Sequence, residues 1–217
     1  MKILVFNPAT NKMEKYYRSL SQNMPYAKNL TVREFRGSSK TDVIWTDKRL
    51  MEAWNKLRSA YGKPINVGYA FKRIGEGGHS NQSQHYAGTA MDIGQRLPSA
   101  ERDRVRNLAS RLGVFGYVEP KVLTPTWVHI DRRTGTAACS TGGYPVLSRG
   151  KRGVYVAVLQ DALNTIGYNT GTVDGIFGSK TYNAVLRFQK NYDLVQDGIV
   201  GCSTWQKLTS IAKGYGI

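Results

Sequence analysis

The chain has little of the residues that usually announce chemistry. Three histidines and two cysteines stand among 217 residues. Cys139 and Cys202 lie far apart and form no CxxC pair. That spacing argues against a disulfide scaffold and gives a cysteine-based metal site no support. Two free thiols in a reducing compartment are expected. Acidic residues are scarce too: 15 Asp and Glu face 31 Lys and Arg, for a net charge of +16. Such a charge favours a polyanionic partner, be it nucleic acid, an anionic membrane surface or a wall rich in acidic polymer, and says nothing about fold. No compact basic run carries it and no nucleic-acid motif accompanies it, so no nucleic-acid partner is expected. Long apolar runs are missing as well. The opening Ile3-Leu4-Val5-Phe6 turns polar at Asn7-Pro8. It falls short of the about 7–15 apolar residues of a secretion signal, and no stretch reaches the roughly 20 of a membrane helix. Membrane insertion is not expected. Synthesis in the cytoplasm is, with action outside depending on another route of release.

What the chain does have is apolar content, 41% of residues, enough for a core in one or two domains. Residues 1–45 read as short strands and turns. The stripe Leu50, Met51, Trp54, Leu57 and Tyr61 predicts a helix over 46–61, with Thr46 as N-cap and Gly62 then Pro64 as its stop. Residues 65–71 are β-like and lead into Gly75-Glu76-Gly77-Gly78. Residues 89–93, 114–118 and 127–132 predict strands, and 99–112 a second helix closed by Gly113. These elements make a small α+β unit over 1–135. Residues 136–152 have a linker composition. Beyond them Asp174-Gly175-Ile176-Phe177-Gly178 is echoed by Asp197-Gly198-Ile199-Val200-Gly201. Ser179 and Ser203 stand where N-caps would. Three short helices, near 153–166, 180–191 and 204–212, are expected in one pseudo-repeated module over 153–217.

Two of the three histidines keep company with carboxylates. His85 lies in Ser83-Gln84-His85-Tyr86-Ala87-Gly88-Thr89-Ala90-Met91-Asp92, and His129 in Trp127-Val128-His129-Ile130-Asp131. Two imidazoles and a carboxylate are the ligand types of a catalytic zinc that leaves one position to water. Asp92 follows His85 by seven positions. That is too far for adjacent helical turns and fits a loop histidine with a carboxylate on the next strand. On a strand over 127–132, Trp127, His129 and Asp131 share a face. The bare pattern is weak, and two polar residues in hydrogen-bonding roles are the alternative. Metal-assisted hydrolysis also needs a carboxylate to carry the proton from water to the leaving group. Glu119, at a strand end, and Asp131 are the candidates. Asp131 could instead orient a ligand or pair with Arg132 or Arg133. His79 reads as a solvated loop residue. Ser83 reads as a local hydrogen-bonder, since no Ser-His-Asp set surrounds it. The absence of HExxH excludes the thermolysin-type arrangement.

The frame Ser83-Gln84-His85-x-x-Gly88-x-Ala90-x-Asp92, followed by Val128-His129-Ile130-Asp131, resembles the signature of the zinc D-Ala-D-Ala carboxypeptidase and L-alanyl-D-glutamate peptidase family. The similarity runs from about residue 30 to 133. It implies a small antiparallel-sheet fold of the Hedgehog and D-Ala-D-Ala peptidase type, with zinc on His85, Asp92 and His129. The chain departs from the family at Trp127, where many members carry another histidine. It departs again at Thr126, where some carry the catalytic carboxylate. The proton-transfer role therefore falls to Glu119 or Asp131. The family's arginine for a substrate carboxylate, after a Ser-Gly-Tyr element, has no counterpart after Val67-Gly68-Tyr69, and Lys72 or Arg73 would replace it. Ser83, Tyr69, Lys72, Arg73 and Trp127 are the expected substrate contacts. The repeat beyond 153 resembles the type 1 peptidoglycan-binding domain in Leu159-Gln160, the two Asp-Gly-Ile-x-Gly turns, Phe188-Gln189 and Thr204-Trp205.

Together the resemblances imply a monomeric peptidoglycan hydrolase that cuts an amide in bacterial stem peptides or cross-links with zinc-activated water. It would be made in a host cytoplasm and act at the wall after release, as a phage endolysin. A bacterial autolysin or D-Ala-D-Ala carboxypeptidase, and a non-catalytic wall-binding protein with a structural zinc, are the alternatives.

Overall fold

The computed structural model describes residues 1–216 and, among them, two sheets and six helices. Strand β1 (Lys2–Asn7) pairs antiparallel with β2 (Lys12–Tyr17) and parallel with β3 (Val43–Asp47). Ile3, Leu4 and Val5 are all buried, as on a central strand covered on both faces. The α+β architecture agrees with expectation, but the antiparallel pairing expected throughout does not hold in this sheet. A parallel ladder needs a crossover, and the chain makes it through β2 and the short helix α1 (Val32–Arg36). Thr31 and Glu34 close a capping box at the start of α1.

Helix α2 (Lys48–Tyr61) buries the predicted stripe and ends at Gly62, φ 74°. Its N-cap is Asp47, which accepts from the Arg49 amide, and not Thr46. Thr46 stays in β3, where its hydroxyl donates to the Gly88 carbonyl at 2.8 Å. The second sheet has the order β4 (Val67–Tyr69), β5 (Ala90–Ile93), β7 (Val128–Asp131), β6 (Tyr117–Val118), antiparallel throughout. Helix α3 (Ser99–Leu112) packs against β6 and β7 and buries Val105, Arg106 and Ala109.

Helices α4 (Val154–Thr165), α5 (Ser179–Asn191) and α6 (Cys202–Gly214) form the last part. Gly178 and Gly201 are the N-caps of α5 and α6, so Ser179 and Ser203 lie inside these helices and do not cap them. Each glycine turn of the repeat is held by a buried glutamine. Gln160 Nε2 donates to Asp174, the Ile176 carbonyl and Thr181. Gln189 Nε2 meets Asp197, the Ile199 carbonyl and Thr204 in the same way. Helix α4 is buried on every side from Val154 to Leu163. A helix with no exposed face lies between layers: α4 touches β3 on one side and α5 and α6 on the other.

The linker-like stretch 136–152 is packed. Bridges join Ala137 to Pro145, Leu147 to Val200 and Arg152 to Ile176, and Tyr144 is fully buried. The expected free thiols are corrected here. Cys139 and Cys202 form a disulfide, their Cα atoms 4.9 Å apart despite a sequence separation of 63. Among the described residues, no helix is long and apolar enough to cross a membrane.

Candidate metal centre

The site forms where β5 and β7 pair. Their register sets Asp92 opposite His129. Strand alternation turns Trp127, His129 and Asp131 toward a cleft of about 530 Å³, while Val128 and Ile130 enter the core. His85 comes from the loop before β5, and that loop is fastened to β3. Trp45 Nε1 donates to the Tyr86 carbonyl at 2.9 Å, alongside the Thr46–Gly88 bond. Gly88 has φ 65°, and a Cβ there would lie 1.9 Å from the Trp45 carbonyl oxygen, so this approach admits only glycine.

Ligand atoms of His85, Asp92 and His129 lie within 4.8 Å of one another. Asp92 Oδ1 is 3.4 Å from His85 Nε2 and 2.8 Å from His129 Nδ1. The Ala70 carbonyl can only accept, so His85 Nδ1 donates to it at 2.7 Å. This engages Nδ1 and turns Nε2 toward Asp92. Ligands on one tetrahedral zinc, each about 2.0–2.2 Å from the ion, stand roughly 3.4 Å apart. Two imidazole nitrogens and a carboxylate oxygen gathered on a cleft floor fit that ion.

The electrostatics agree with a cation site. Burial works against the Asp92 charge, but hydrogen bonds from His129 and His85 outweigh it and hold the carboxyl far below its usual range. Burial alone would lower the His129 pKa, yet the carboxylates of Asp131 and Asp92 raise it to about 9. The two carboxylates that draw a proton onto His129 would equally attract a divalent cation. Asp131 is fully buried. It accepts from Arg133 Nε at 2.9 Å and lies 3.4 Å from His129 Nε2.

Glu119 follows β6, its amide bonded to the His129 carbonyl at 3.0 Å and its side chain lining the cleft beside Trp127. Sequence reasoning missed what holds this loop. Arg106 of α3 donates to the carbonyls of Glu119, Thr124 and Trp127 and to the Thr124 hydroxyl. Its place beside Val105 on the buried side of α3 was the available signal.

The other expected residues fare differently. Ser83 is buried beside the cleft, its hydroxyl accepting from the His85 amide at 3.3 Å. Tyr69 stands edge-on to His85, ring centres 4.8 Å apart. It lines a neighbouring hollow with Lys72, whose ammonium bonds Ser38 and lies 5.7 Å from the Tyr69 ring centre. Arg73 is a correction: it turns away from the cleft to Asp161 at 2.9 Å and to Thr165, both on α4, and is not free for substrate. His79 is a second correction. It is half-buried, with its ring 4.5 Å from Tyr69 and 4.7 Å from His85, and burial followed by the His85 charge lowers its pKa to about 4.

Residues 152–208 match the family described as "Putative peptidoglycan binding domain". The matched residues include none of the three candidate ligands. The spore cortex-lytic enzyme of Bacillus cereus is 43% identical to the chain over 68 residues, 31% of this chain and 26% of that enzyme. The N-acetylmuramoyl-L-alanine amidase CwlM of Mycobacterium tuberculosis is 47% identical over 53 residues, 24% of this chain and 13% of that protein. The chain thus spans about a quarter or less of the length of these relatives. Among solved structures, the SleB N-terminal domain is 43% identical, covers 31% of this chain and 93% of that domain, and superposes with a TM-score of 0.31.

Proposed function

We propose that the chain is a peptidoglycan hydrolase that cuts an amide bond in bacterial stem peptides or cross-links, with zinc held by His85, Asp92 and His129. One observation carries this reading: a wall-binding module and a cleft floored by two imidazoles and a carboxylate occur in one chain. The resemblance of the 83–92 and 128–131 segments to zinc D-Ala-D-Ala carboxypeptidases supports the same chemistry. Bound zinc would lower the pKa of a water molecule and polarise the scissile carbonyl.

The protein's own groups divide the remaining work. His85 offers Nε2, because Nδ1 is engaged by Ala70, and His129 offers Nδ1, the nitrogen beside Asp92. Asp131 steadies His129 from its other nitrogen and is itself gripped by Arg133. Buried, committed oxygens suit orientation better than proton transfer. Glu119 faces the cleft, and its carboxylate makes no hydrogen bond among the described residues. It is the group to take a proton from the attacking water and return it to the leaving amine. Trp127 and Ser83 line the substrate side, and Tyr69 with Lys72 extends it, Lys72 offering a cation to a substrate carboxylate. Residues 1–135 would carry the chemistry, and 153–217 the attachment to peptidoglycan. The Cys139–Cys202 disulfide supports action in an oxidising space outside the cytoplasm, as for an endolysin freed at lysis.

Digestion of purified peptidoglycan, with and without chelator and followed by mass spectrometry, tests the reading. New amino termini should vanish with chelator and return with zinc. Attachment to the wall without cleavage would instead leave a wall-binding protein with a structural ion. His129→Ala should lose zinc and activity, and Glu119→Gln should keep zinc while activity falls about 100-fold or more. An active Glu119→Gln beside an inactive Asp131→Asn would reverse the roles of the two carboxylates.

A further inference from the structure

We infer that the wall-binding half is a working part of the metal site, with Tyr144, locked by the Cys139–Cys202 disulfide, as a positioning residue for His85. This rests on the zinc reading above.

The three residues before His85 are each gripped from the C-terminal side. The Tyr144 amide donates to Gln82 Oε1 at 2.8 Å, and the Tyr144 hydroxyl donates to the Ser83 carbonyl at 2.6 Å. The Tyr155 hydroxyl, on α4, donates to Gln84 Oε1 at 2.9 Å. Farther back in the same loop, Lys213 of α6 donates to the His79 carbonyl at 2.7 Å. Tyr144 is fully buried, its ring edge-on to Trp205 at 5.0 Å and tilted against Tyr155 at 5.2 Å. Trp205 Nε1 in turn donates to the Pro145 carbonyl at 2.8 Å.

Tyr144 belongs to a hairpin over 137–145, closed by the Ala137–Pro145 bridge and the Ala138–Tyr144 backbone bond. The disulfide ties Cys139 of this hairpin to the first residue of α6. The hairpin tip, Thr141 to Gly143, lines the cleft that holds the ligands. One short segment is thus covalently anchored through Cys139, hydrogen-bonded to the His85 loop through Tyr144 and set on the cleft at its tip.

The run Ser140-Thr141-Gly142-Gly143 has no larger sheet to hold it, so it depends on these anchors. A metal ligand must be held within about 0.5 Å of its productive position, and loss of a supporting partner typically weakens metal binding about 10–100-fold. Opening the disulfide takes two electrons and two protons from a dithiol, which becomes a disulfide while Cys139 and Cys202 become thiols. In a reducing cytoplasm the site would hold zinc weakly, and oxidation after release would complete it.

The test titrates zinc alone, against a chromophoric chelator, into the oxidised full chain, a Cys139→Ser/Cys202→Ser variant and Tyr144→Phe. Both variants should bind zinc about tenfold more weakly or worse, and cobalt(II) loading should give an altered visible spectrum. Sedimentation of Tyr144→Phe with peptidoglycan should stay within about twofold, because Tyr144 lies outside the glutamine-clamped turns of the module. Tyr144→Phe keeps the disulfide and the ring packing, so it decides the matter if the double variant proves unfolded by circular dichroism. A folded Tyr144→Phe with unchanged zinc affinity and cobalt spectrum overturns this inference and leaves the zinc reading standing. A wild-type chain that binds no zinc overturns both.

Discussion

Replacing Arg106 by methionine should loosen the loop that presents Glu119 and Trp127 to the cleft. The side chain is 7% exposed and donates to Glu119 O at 2.5 Å, Thr124 O at 2.8 Å, Trp127 O at 2.7 Å and Thr124 Oγ1 at 3.1 Å. Each hydrogen bond from a charged donor contributes about 1.5–3 kcal/mol. Against this stand several kcal/mol for removing the guanidinium from water, with no carboxylate in ion-pair contact among the described residues and Nε left without a partner. Burial, the largest influence, pulls the Arg106 pKa below its usual value. Methionine preserves much of the length but leaves three carbonyls unpartnered, so a net loss of about 3 kcal/mol is expected in urea unfolding. No metal ligand lies on the loop. Zinc content should therefore persist while turnover on peptidoglycan falls about 10–100-fold. Arg106→Lys should lie between, because an ammonium keeps the charge and loses the fork. Stability within about 0.5 kcal/mol of wild type, together with full activity, would refute the reasoning.

Gln189→Leu removes a buried amide that satisfies Asp197, Ile199 and Thr204 and should cost about 2–4 kcal/mol in thermal unfolding, with weaker sedimentation on peptidoglycan; an unchanged melting temperature would deny the clamp its role. Glu76→Gln should cost about 1–3 kcal/mol at neutral pH. Burial opposes the Glu76 charge, but the Arg73 amide, the Ser39 hydroxyl, the Lys40 amide and the Lys72 charge more than offset it and lower its pKa. A carboxylate with a depressed folded pKa stabilises above its ordinary value of 4.5, and that contribution disappears as the pH falls through the folded value. The gap between wild type and Glu76→Gln in urea should thus narrow with acidification, and a gap independent of pH would contradict this.

Local signals made much of the fold legible. Helix α3 runs over the predicted 99–112 because its apolar spacing and Gly113, at φ 61°, both act within a few residues. The candidate metal site was legible only in part: strand periodicity set His129 on the same side as Trp127 and Asp131, but the spacing of His85 and Asp92 is weak alone, and the grouping of the three came from the family resemblance. Contacts between distant segments left no such mark. Arg73 meets Asp161 across 88 positions, and nothing near Arg73 announces which acid it will face. The disulfide was hidden in the same way, since chain separation carries no information about spatial approach. Helix α4 was the readable exception. Val154-Tyr155-Val156-Ala157-Val158-Leu159 has no polar face, which signals a helix covered on all sides before any partner is known.

That helix has a practical consequence for anyone wishing to exchange the C-terminal module. Wall-binding modules invite exchange as cartridges, cut at the linker and replaced. Here a cut after residue 152 would take away the apolar cover of β3, the partner of Arg73 and the hydroxyl that holds Gln84. A productive graft would retain α4 and the 137–145 hairpin, splice beyond Thr165, and rebuild a cysteine opposite Cys139 on whatever helix takes the place of α6.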